Sequence, residues 1–229
     1  MASESTIEAL IFDFDGVMVD TEVPEFKSWS QMYRSHGVEL DRGLWLSIIG
    51  RGREYFDPFQ HLEDLKGSPV DKEAVKTERR QRYLELVAPN PLLPGVMEYL
   101  DEADDMGLRL GVASSSTRQW VEDHLRPRGV LNRFEAISTG DEAENSKPDP
   151  EIYLTAIDRL GARPESSIAI EDSTNGLTSA KRAGMFCVAV PNRMTQGMDL
   201  SQADIQLKAL TDMSLGELVE LASKRRSSS

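Results

Sequence analysis

Hydrophobic positions along the chain change their spacing, and these changes separate strand-like from helix-like segments. Strand-like segments occur at residues 9–12, 108–113, 134–138, 168–170 and 186–190, and the first, fourth and fifth of them are wholly apolar. Unbroken apolar runs of this length are typical of strands that a parallel sheet buries on both faces. The later runs alternate with helical patterns. We therefore predict an α/β fold with a doubly wound, Rossmann-like parallel sheet.

Residues 21–90 follow a helical pattern instead. An apolar stripe recurs at three- and four-residue spacing, at Phe26, Trp29, Met32 and Tyr33. A second helical segment runs from Asp41 towards Gly50, and a third carries Val75, Arg79, Tyr83 and Leu86. The proline-rich stretch 88–95 predicts a stiff connector. Because this block follows the first strand, we predict a core of residues 1–20 and 91–229 and an inserted helical domain of residues 21–90.

Two carboxylates follow the first apolar run directly. Side chains at positions i and i+2 of a strand lie on the same face, so Asp13 and Asp15 can converge on one ligand. Such a pair can hold Mg²⁺, attack phosphorus, or divide the roles of acid and base. Asp15-Gly16 also suits a hairpin turn between residues 11–14 and 17–19. The two interpretations are compatible, because a turn could present the carboxylates.

Each of three later segments also brings polar groups to the end of a predicted strand. Ser114 begins a run of hydroxyls at a predicted helix start, where free N–H groups suit a phosphate and where Ser116 or Thr117 could cap the helix. In Lys147-Pro148, the proline favours an extended lysine just ahead of a helix. Glu171 and Asp172 offer the oxygen ligands that Mg²⁺ prefers, although Asp172 or Ser173 could instead cap a helix.

Composition narrows the classes of partner and compartment. The 229 residues carry 39 acidic and 26 basic side chains, a net charge of −13, which disfavours nucleic acid and anionic membranes as partners. No stretch approaches the roughly 20 apolar residues that span a bilayer. The single cysteine, Cys187, fits a reducing compartment, and the three histidines lack the spacing of a metal site. We therefore expect a cytoplasmic globular protein.

The four polar segments together resemble the motifs of the haloacid dehalogenase superfamily of phosphotransferases. The matching residues are Asp13-Phe14-Asp15-Gly16-Val17, Ser114, Lys147-Pro148 and Glu171-Asp172-Ser173, within residues 8–190. The helical insertion resembles the cap domain of the β-phosphoglucomutase-like branch, which also contains many small-molecule phosphatases. The resemblance thus implies an enzyme that acts on a small-molecule phosphate ester, with a monomer as the default state.

This resemblance implies a role for each motif. Asp13 would attack phosphorus and become an aspartyl phosphate, while Asp15 would serve as general acid and then as general base. Ser114 and Lys147 would hold phosphoryl oxygens. Mg²⁺ would be bound by Asp13, the carbonyl oxygen of Asp15 and Asp172, with Glu171 as a further ligand or a support.

The resemblance also suggests which residues contact the substrate. These are Thr21, Glu25, Gly50, Arg53, Arg79 and Ser115, with Arg53 at the place of a cap arginine that grips a distal phosphate in the mutase. Glu25 stands where the mutase has a histidine, and this departure favours a phosphatase. We therefore expect a Mg²⁺-dependent phosphatase of small phosphorylated metabolites, such as sugar phosphates. A sugar-phosphate mutase is the alternative, and a phospho-acceptor signalling domain or a catalytically silent interaction protein is more remote.

Overall fold

The protein is described by a computed structural model that covers residues 7–49 and 56–226. Its six-stranded sheet has the order β3-β2-β1-β4-β5-β6, and every neighbouring pair is parallel. The strands are β1 (Ala9–Phe12), β2 (Arg109–Ser114), β3 (Ala136–Thr139), β4 (Ser167–Glu171), β5 (Phe186–Ala189) and β6 (Ile205–Gln206). The α/β, Rossmann-like core that the sequence predicts is confirmed.

Helices cover both faces of the sheet. Those of the core are α5 (Val96–Met106), α6 (Arg118–Leu125), α7 (Glu151–Leu160), α8 (Thr174–Arg182) and α9 (Leu215–Arg226). Leu10 and Phe12 of β1 pack in an apolar cluster with α5, α6 and α9, whereas Ala9 and Ile11 pack in a second cluster with α7 and α8. Successive residues of a strand face opposite sides. The unbroken apolar run of β1 therefore supplies both clusters.

Among the described residues, four helices lie between β1 and α5, and we call them the inserted helices. They are α1 (Glu22–Ser35), α2 (Arg42–Ile48), α3 (Pro58–Lys66) and α4 (Lys72–Val87). Carboxylates accept from free N–H groups at the starts of α2, α3 and α4, at Asp41, Asp57 and Asp71. The inserted helices share an apolar cluster around Trp29, Met32 and Leu62, which Met194 from the loop after β5 also joins. This supports an inserted domain, whose boundaries remain predictions.

The hairpin alternative at Asp15-Gly16 is not observed. The backbone does turn tightly there, with Gly16 at a φ of +84° and its N–H donating to Val19 O at 2.9 Å. The chain then leaves β1 without pairing against it, and β1 is flanked by β2 and β4 instead. Within the described ranges, no helix is long and apolar enough to cross a membrane.

Candidate active site

The two predicted catalytic aspartates lie beyond the carboxyl end of a central strand. Asp13 follows β1 directly, and its N–H donates to Ile170 O of β4 at 2.9 Å. The chain places β2 and β3 on one side of β1, and β4, β5 and β6 on the other. Open parallel sheets bind ligands at such a switch point. The position of Asp13 therefore favours a site for chemistry over a purely structural role.

Lys147 links two buried carboxylates at this edge. Its Nζ lies 2.6 Å from Asp13 Oδ1, 2.7 Å from Glu171 Oε1 and 3.0 Å from Ala113 O. These contacts use all three N–H donors of the ammonium group. The side chain is only 5% exposed, and the ring of Tyr153 lies 4.9 Å away. Burial holds the lysine in one place, as a fixed positive charge beside Asp13.

Negative charge at the site exceeds what Lys147 compensates. Burial raises the pKa of Asp13 to about 8; Lys147 opposes this rise, whereas Glu171 and Asp15 add to it. Burial and the carboxylates of Asp13 and Glu171 also raise the pKa of Asp172 well above its ordinary value. A further positive charge would favour the ionised forms of these acids.

The carboxylates are suited to a divalent cation. Oxygens of Asp13, Glu171 and Asp172 lie within 4.8 Å of one another. Asp172 Oδ2 accepts from Asn192 Nδ2 at 2.5 Å and from Thr195 Oγ1 at 3.3 Å. Among the described residues, no hydrogen-bond donor contacts Asp172 Oδ1 or Asp13 Oδ2. The hard oxygens left open match the ligands that Mg²⁺ prefers.

Glu171 differs from the other two acids because protein donors occupy both of its oxygens. Oε1 accepts from Lys147 Nζ and from the Tyr153 hydroxyl at 2.8 Å. Oε2 accepts from the N–H groups of Asp172 and Ser173 at 3.1 and 3.3 Å, and from Ser173 Oγ at 3.2 Å. Of the two roles that the sequence left open, these contacts favour a supporting residue over a direct metal ligand.

Asp15 is held by three donors of the core. Its Oδ2 accepts from Ser114 Oγ at 3.2 Å and Ser116 Oγ at 2.7 Å, and its Oδ1 accepts from Trp120 Nε1 at 3.1 Å. The sequence predicted a site role for Ser114 but none for Ser116 or Trp120. Ser116 belongs to a run of hydroxyls that could have signalled it. The predicted contact Ser115 is exposed, so it does not share this network.

The structure brings together two of the predicted substrate contacts within residues 21–90. Glu25 accepts from Arg79 Nη1 at 2.5 Å and from Trp29 Nε1 at 3.2 Å, which joins two predicted residues in one ion pair. Thr21 is buried, and its hydroxyl finds no hydrogen-bond partner in the described part of the chain. The predictions for Gly50 and Arg53 lie outside the described residues.

A cavity of about 600 Å³ opens between the inserted helices. Its walls include aromatic side chains, two ion-paired residues and further charges: Glu22, Glu25, Trp29, Trp45, Ile48, Ile49, Phe56, Asp57, Pro58, Phe59, Lys76, Arg79 and Arg80. Three of these residues are acidic and three are basic. Burial raises the pKa of Glu22 to about 8, so this acid offsets little of the basic charge near neutral pH.

Known proteins share both the sequence and the fold of this chain. The family model described as haloacid dehalogenase-like hydrolase matches residues 10–190. YhcW of Bacillus subtilis (strain 168), whose name places it among the phosphatases, is 41% identical over 93% of this chain and 97% of its own. The phosphorylated carbohydrates phosphatase of Thermotoga maritima is 34% identical over 86% of this chain and 91% of its own.

A similar fold is found in the crystal structure of β-phosphoglucomutase from Clostridium difficile. The TM-score is 0.79 at 26% sequence identity, over 97% of this chain and all of that one. The sheet order, the edge that carries the carboxylates and the family match agree with the resemblance that the four motifs carry. The chain belongs to the haloacid dehalogenase-like hydrolase family and is an enzyme of that family.

Proposed function

We propose that this protein is a Mg²⁺-dependent phosphatase that hydrolyses small phosphorylated metabolites, with sugar phosphates as the substrate class. One observation carries the proposal. Asp13 has one oxygen against Lys147 and, within the described structure, an open second oxygen, and Asp15 lies two residues further along the same edge. This is the arrangement of a nucleophile beside a fixed cation, with an acid/base group close by.

The proposed reaction has two steps. Asp13 Oδ2 attacks phosphorus, the bond to the ester oxygen breaks, and the carboxyl group of Asp15 gives its proton to the departing oxygen. Water then attacks the aspartyl phosphate and loses a proton to the Asp15 carboxylate. Inorganic phosphate leaves, and Asp13 and Asp15 return to their starting forms. Splitting one difficult displacement into two easier ones is the general advantage of a covalent intermediate.

Positive charge supports both steps. The Lys147 ammonium lies against Asp13 and can neutralise a phosphoryl oxygen there. Mg²⁺ would be held by Asp172 through its open Oδ1 and by Asp13 through the oxygen that does not attack phosphorus, and Glu171 would support Lys147 and the backbone of Asp172. When bound, the ion offsets the negative charge of the phosphoryl group during transfer.

The cavity between the inserted helices supports a sugar phosphate as substrate. Aromatic walls such as Trp29 and Trp45 suit the apolar faces of a sugar ring, and the charged groups suit its hydroxyls. The name of the Thermotoga maritima relative, a phosphorylated carbohydrates phosphatase, agrees with this class. In the described lining the charge of Arg79 is neutralised by Glu25, so the guanidinium of Arg79 offers little attraction for a second phosphate.

A sugar-phosphate mutase is the second candidate, because the fold matches that of a β-phosphoglucomutase. A mutase must hold a bisphosphate and keep water from the aspartyl phosphate. The ion-paired Glu25 at the mutase histidine position favours hydrolysis instead. A signalling domain is less favoured, because Asp15 is held near the nucleophile, where it would promote loss of the phosphoryl group.

Product analysis tests the proposal. The protein is incubated with Mg²⁺ and a panel of sugar and polyol monophosphates, with β-glucose 1-phosphate given both with and without glucose 1,6-bisphosphate. We expect free phosphate from several sugar phosphates without added bisphosphate. Formation of glucose 6-phosphate without release of phosphate would establish the mutase and contradict the phosphatase. Absence of any turnover across the panel would contradict both.

The dependence of metal binding on pH gives a further prediction. The pKa of Asp13 in the folded protein, about 8, lies above its ordinary value of 3.8. Between these values the folded protein binds more protons than the unfolded chain, so without metal its free energy of unfolding falls as pH rises. Mg²⁺ must displace this proton. Because the pKa of Asp172 is raised as well, we expect the apparent Mg²⁺ affinity to rise at least about tenfold per pH unit towards about pH 8.

Thermal unfolding with and without Mg²⁺, from about pH 5 to about pH 8, measures this effect as a stabilisation that grows with pH. NaCl at matched ionic strength is the control for screening. A Mg²⁺-induced shift of equal size at both ends of the range would contradict a cation bound to Asp13.

A further inference from the structure

The third donor to Asp15 comes from a side chain that also contacts the inserted helices. Trp120 lies in the first turn of α6, and its Nε1 donates to Asp15 Oδ1 at 3.1 Å. The same indole stacks on the ring of Tyr83, with centroids 5.1 Å apart and planes 17° from parallel. Tyr83 belongs to α4. One side chain thus touches the acid/base group of the core and the inserted helices.

Tyr83 is itself held within the charged network of the inserted helices. The guanidinium of Arg79 lies 5.3 Å from the Tyr83 ring and 5.2 Å from the Trp29 ring, and it pairs with Glu25. Burial and the carboxylates of Asp15 and Glu25 raise the pKa of the Tyr83 hydroxyl above its ordinary value. A continuous series of contacts therefore runs from Glu25 to Asp15.

We propose that Trp120 is a positioning residue for Asp15, and that Tyr83 sets the orientation of its indole. This inference rests on the proposed function, in which Asp15 is the general acid and base. The general acid is then correctly placed only when α4 is seated against α6. The contact makes proton transfer depend on the position of the inserted helices.

The chemistry of the indole gives this contact a defined consequence. An indole N–H donates and cannot accept, so Asp15 Oδ1 must be an acceptor in both protonation states. The carbonyl oxygen of a carboxyl group accepts better than its hydroxyl oxygen, so this contact favours the catalytic proton on Oδ2. That oxygen faces Ser114 and Ser116, whose hydroxyls can either donate or accept. Trp120 thus favours Oδ2 as the oxygen of Asp15 that carries the proton. The serine hydroxyls can form a hydrogen bond with Oδ2 whether or not it is protonated.

Trp120→Phe removes the N–H while it keeps an aromatic ring against Tyr83. The variant is compared with the wild type on an alkyl phosphate and on p-nitrophenyl phosphate. An alkoxide leaves only with a proton, whereas p-nitrophenolate is a stable anion. We expect kcat/KM to fall about tenfold for the alkyl ester, part of the 10²–10⁴ that general acid catalysis supplies. For p-nitrophenyl phosphate we expect a change of less than about threefold, because its leaving group does not need the acid.

Tyr83→Leu tests the second half of the proposal, because it removes the ring that orients the indole. We expect the same dependence on the leaving group, and we expect the double variant to lose no more than Trp120→Phe alone. Residues that act through one contact give such non-additive effects. Tyr99→Phe is the control, since it removes a buried hydroxyl bond to Met213 O away from the site and should leave both substrates unaffected. If Trp120→Phe fails to fold, Tyr83→Leu still tests the leaving-group dependence.

Asp15→Asn separates failure of this inference from failure of the proposed function. If Asp15→Asn loses turnover of the alkyl ester, but Trp120→Phe lowers kcat/KM equally for both esters or for neither, the positioning role is wrong and the proposed function stands. If Asp15→Asn turns over the alkyl ester at the wild-type rate, the proposed acid role itself is wrong. A selective loss of kcat/KM on the alkyl ester in all three site variants supports both, because kcat/KM reports the first step and not the hydrolysis of the aspartyl phosphate, which the two esters share.

Discussion

Asp13→Asn is expected to lower kcat by at least about 10⁴-fold while the protein remains folded. The variant removes the nucleophile, and an amide oxygen cannot form the aspartyl phosphate. The change is nearly isosteric, and the amide oxygen can still accept from Lys147 Nζ, which lies 2.6 Å from Asp13 Oδ1 in the wild type. Because burial disfavours the charge of Asp13, replacement by a neutral group should not destabilise the fold.

Initial rates with the best substrate of the panel, together with thermal unfolding, measure these two effects. Asp101→Asn is the matched control, because Asp101 pairs with Arg133 at the surface and its side chain is 64% exposed. That variant should retain wild-type turnover. The mass of the purified Asp13→Asn protein is checked for reversion by deamidation. A correctly folded variant of confirmed mass with a tenth of wild-type activity would contradict the nucleophile assignment.

Lys147→Met is expected to combine a loss of stability with a loss of activity. The ammonium group is the charge between Asp13 and Glu171, and all three side chains are at least nine-tenths buried. Removing one partner from a buried ionic cluster typically costs about 3–5 kcal/mol, because the remaining charges are uncompensated. Loss of a fixed positive charge at the phosphoryl group should also lower kcat by about 10²–10³-fold.

The stability effect should depend on pH with a defined sign. Lys147 lowers the pKa of Asp13, which is about 8 in the folded protein, so its loss makes the ionised Asp13 less favourable and this part of the destabilisation grows as pH rises above about 8. Chemical denaturation at several pH values measures this trend. Lys224→Met is the control, because both partners of the Lys224–Glu220 pair are about two-thirds exposed and such pairs contribute about 0–1 kcal/mol. A Lys147→Met variant as stable as this control near neutral pH would contradict the buried cluster.

Local patterns in the sequence were sufficient to predict the core and the motif residues. Asp13 follows the apolar run of β1 directly. Because parallel strands end at one edge of a sheet, the sequence predicted a common site for Asp13, Ser114, Lys147 and Glu171. The structure brings Lys147 against Asp13 and Glu171, and it brings Ser114 against Asp15. The sequence also predicted a helix cap at this position. Ser173 Oγ accepts from the N–H of Gly176 at the start of α8, as expected for a serine there.

Contacts between distant segments could not be predicted in this way. The Glu25–Arg79 pair joins residues 54 positions apart, and Trp120 reaches Asp15 across 105 positions. A tryptophan on a helix is most often a packing residue, so sequence alone gave no reason to assign it to Asp15. Likewise Asn192, in the loop after β5, holds Asp172 only because β5 lies beside β4. These contacts depend on how elements pack.

The stereochemical course at phosphorus tests the central claim most directly. A substrate with a chiral isotopically labelled thiophosphate group is hydrolysed, and the configuration of the product is determined. Two in-line displacements, first by Asp13 and then by water, predict net retention of configuration, whichever step limits the rate. Net inversion would mean that water attacks the substrate directly, and it would contradict an aspartyl phosphate intermediate.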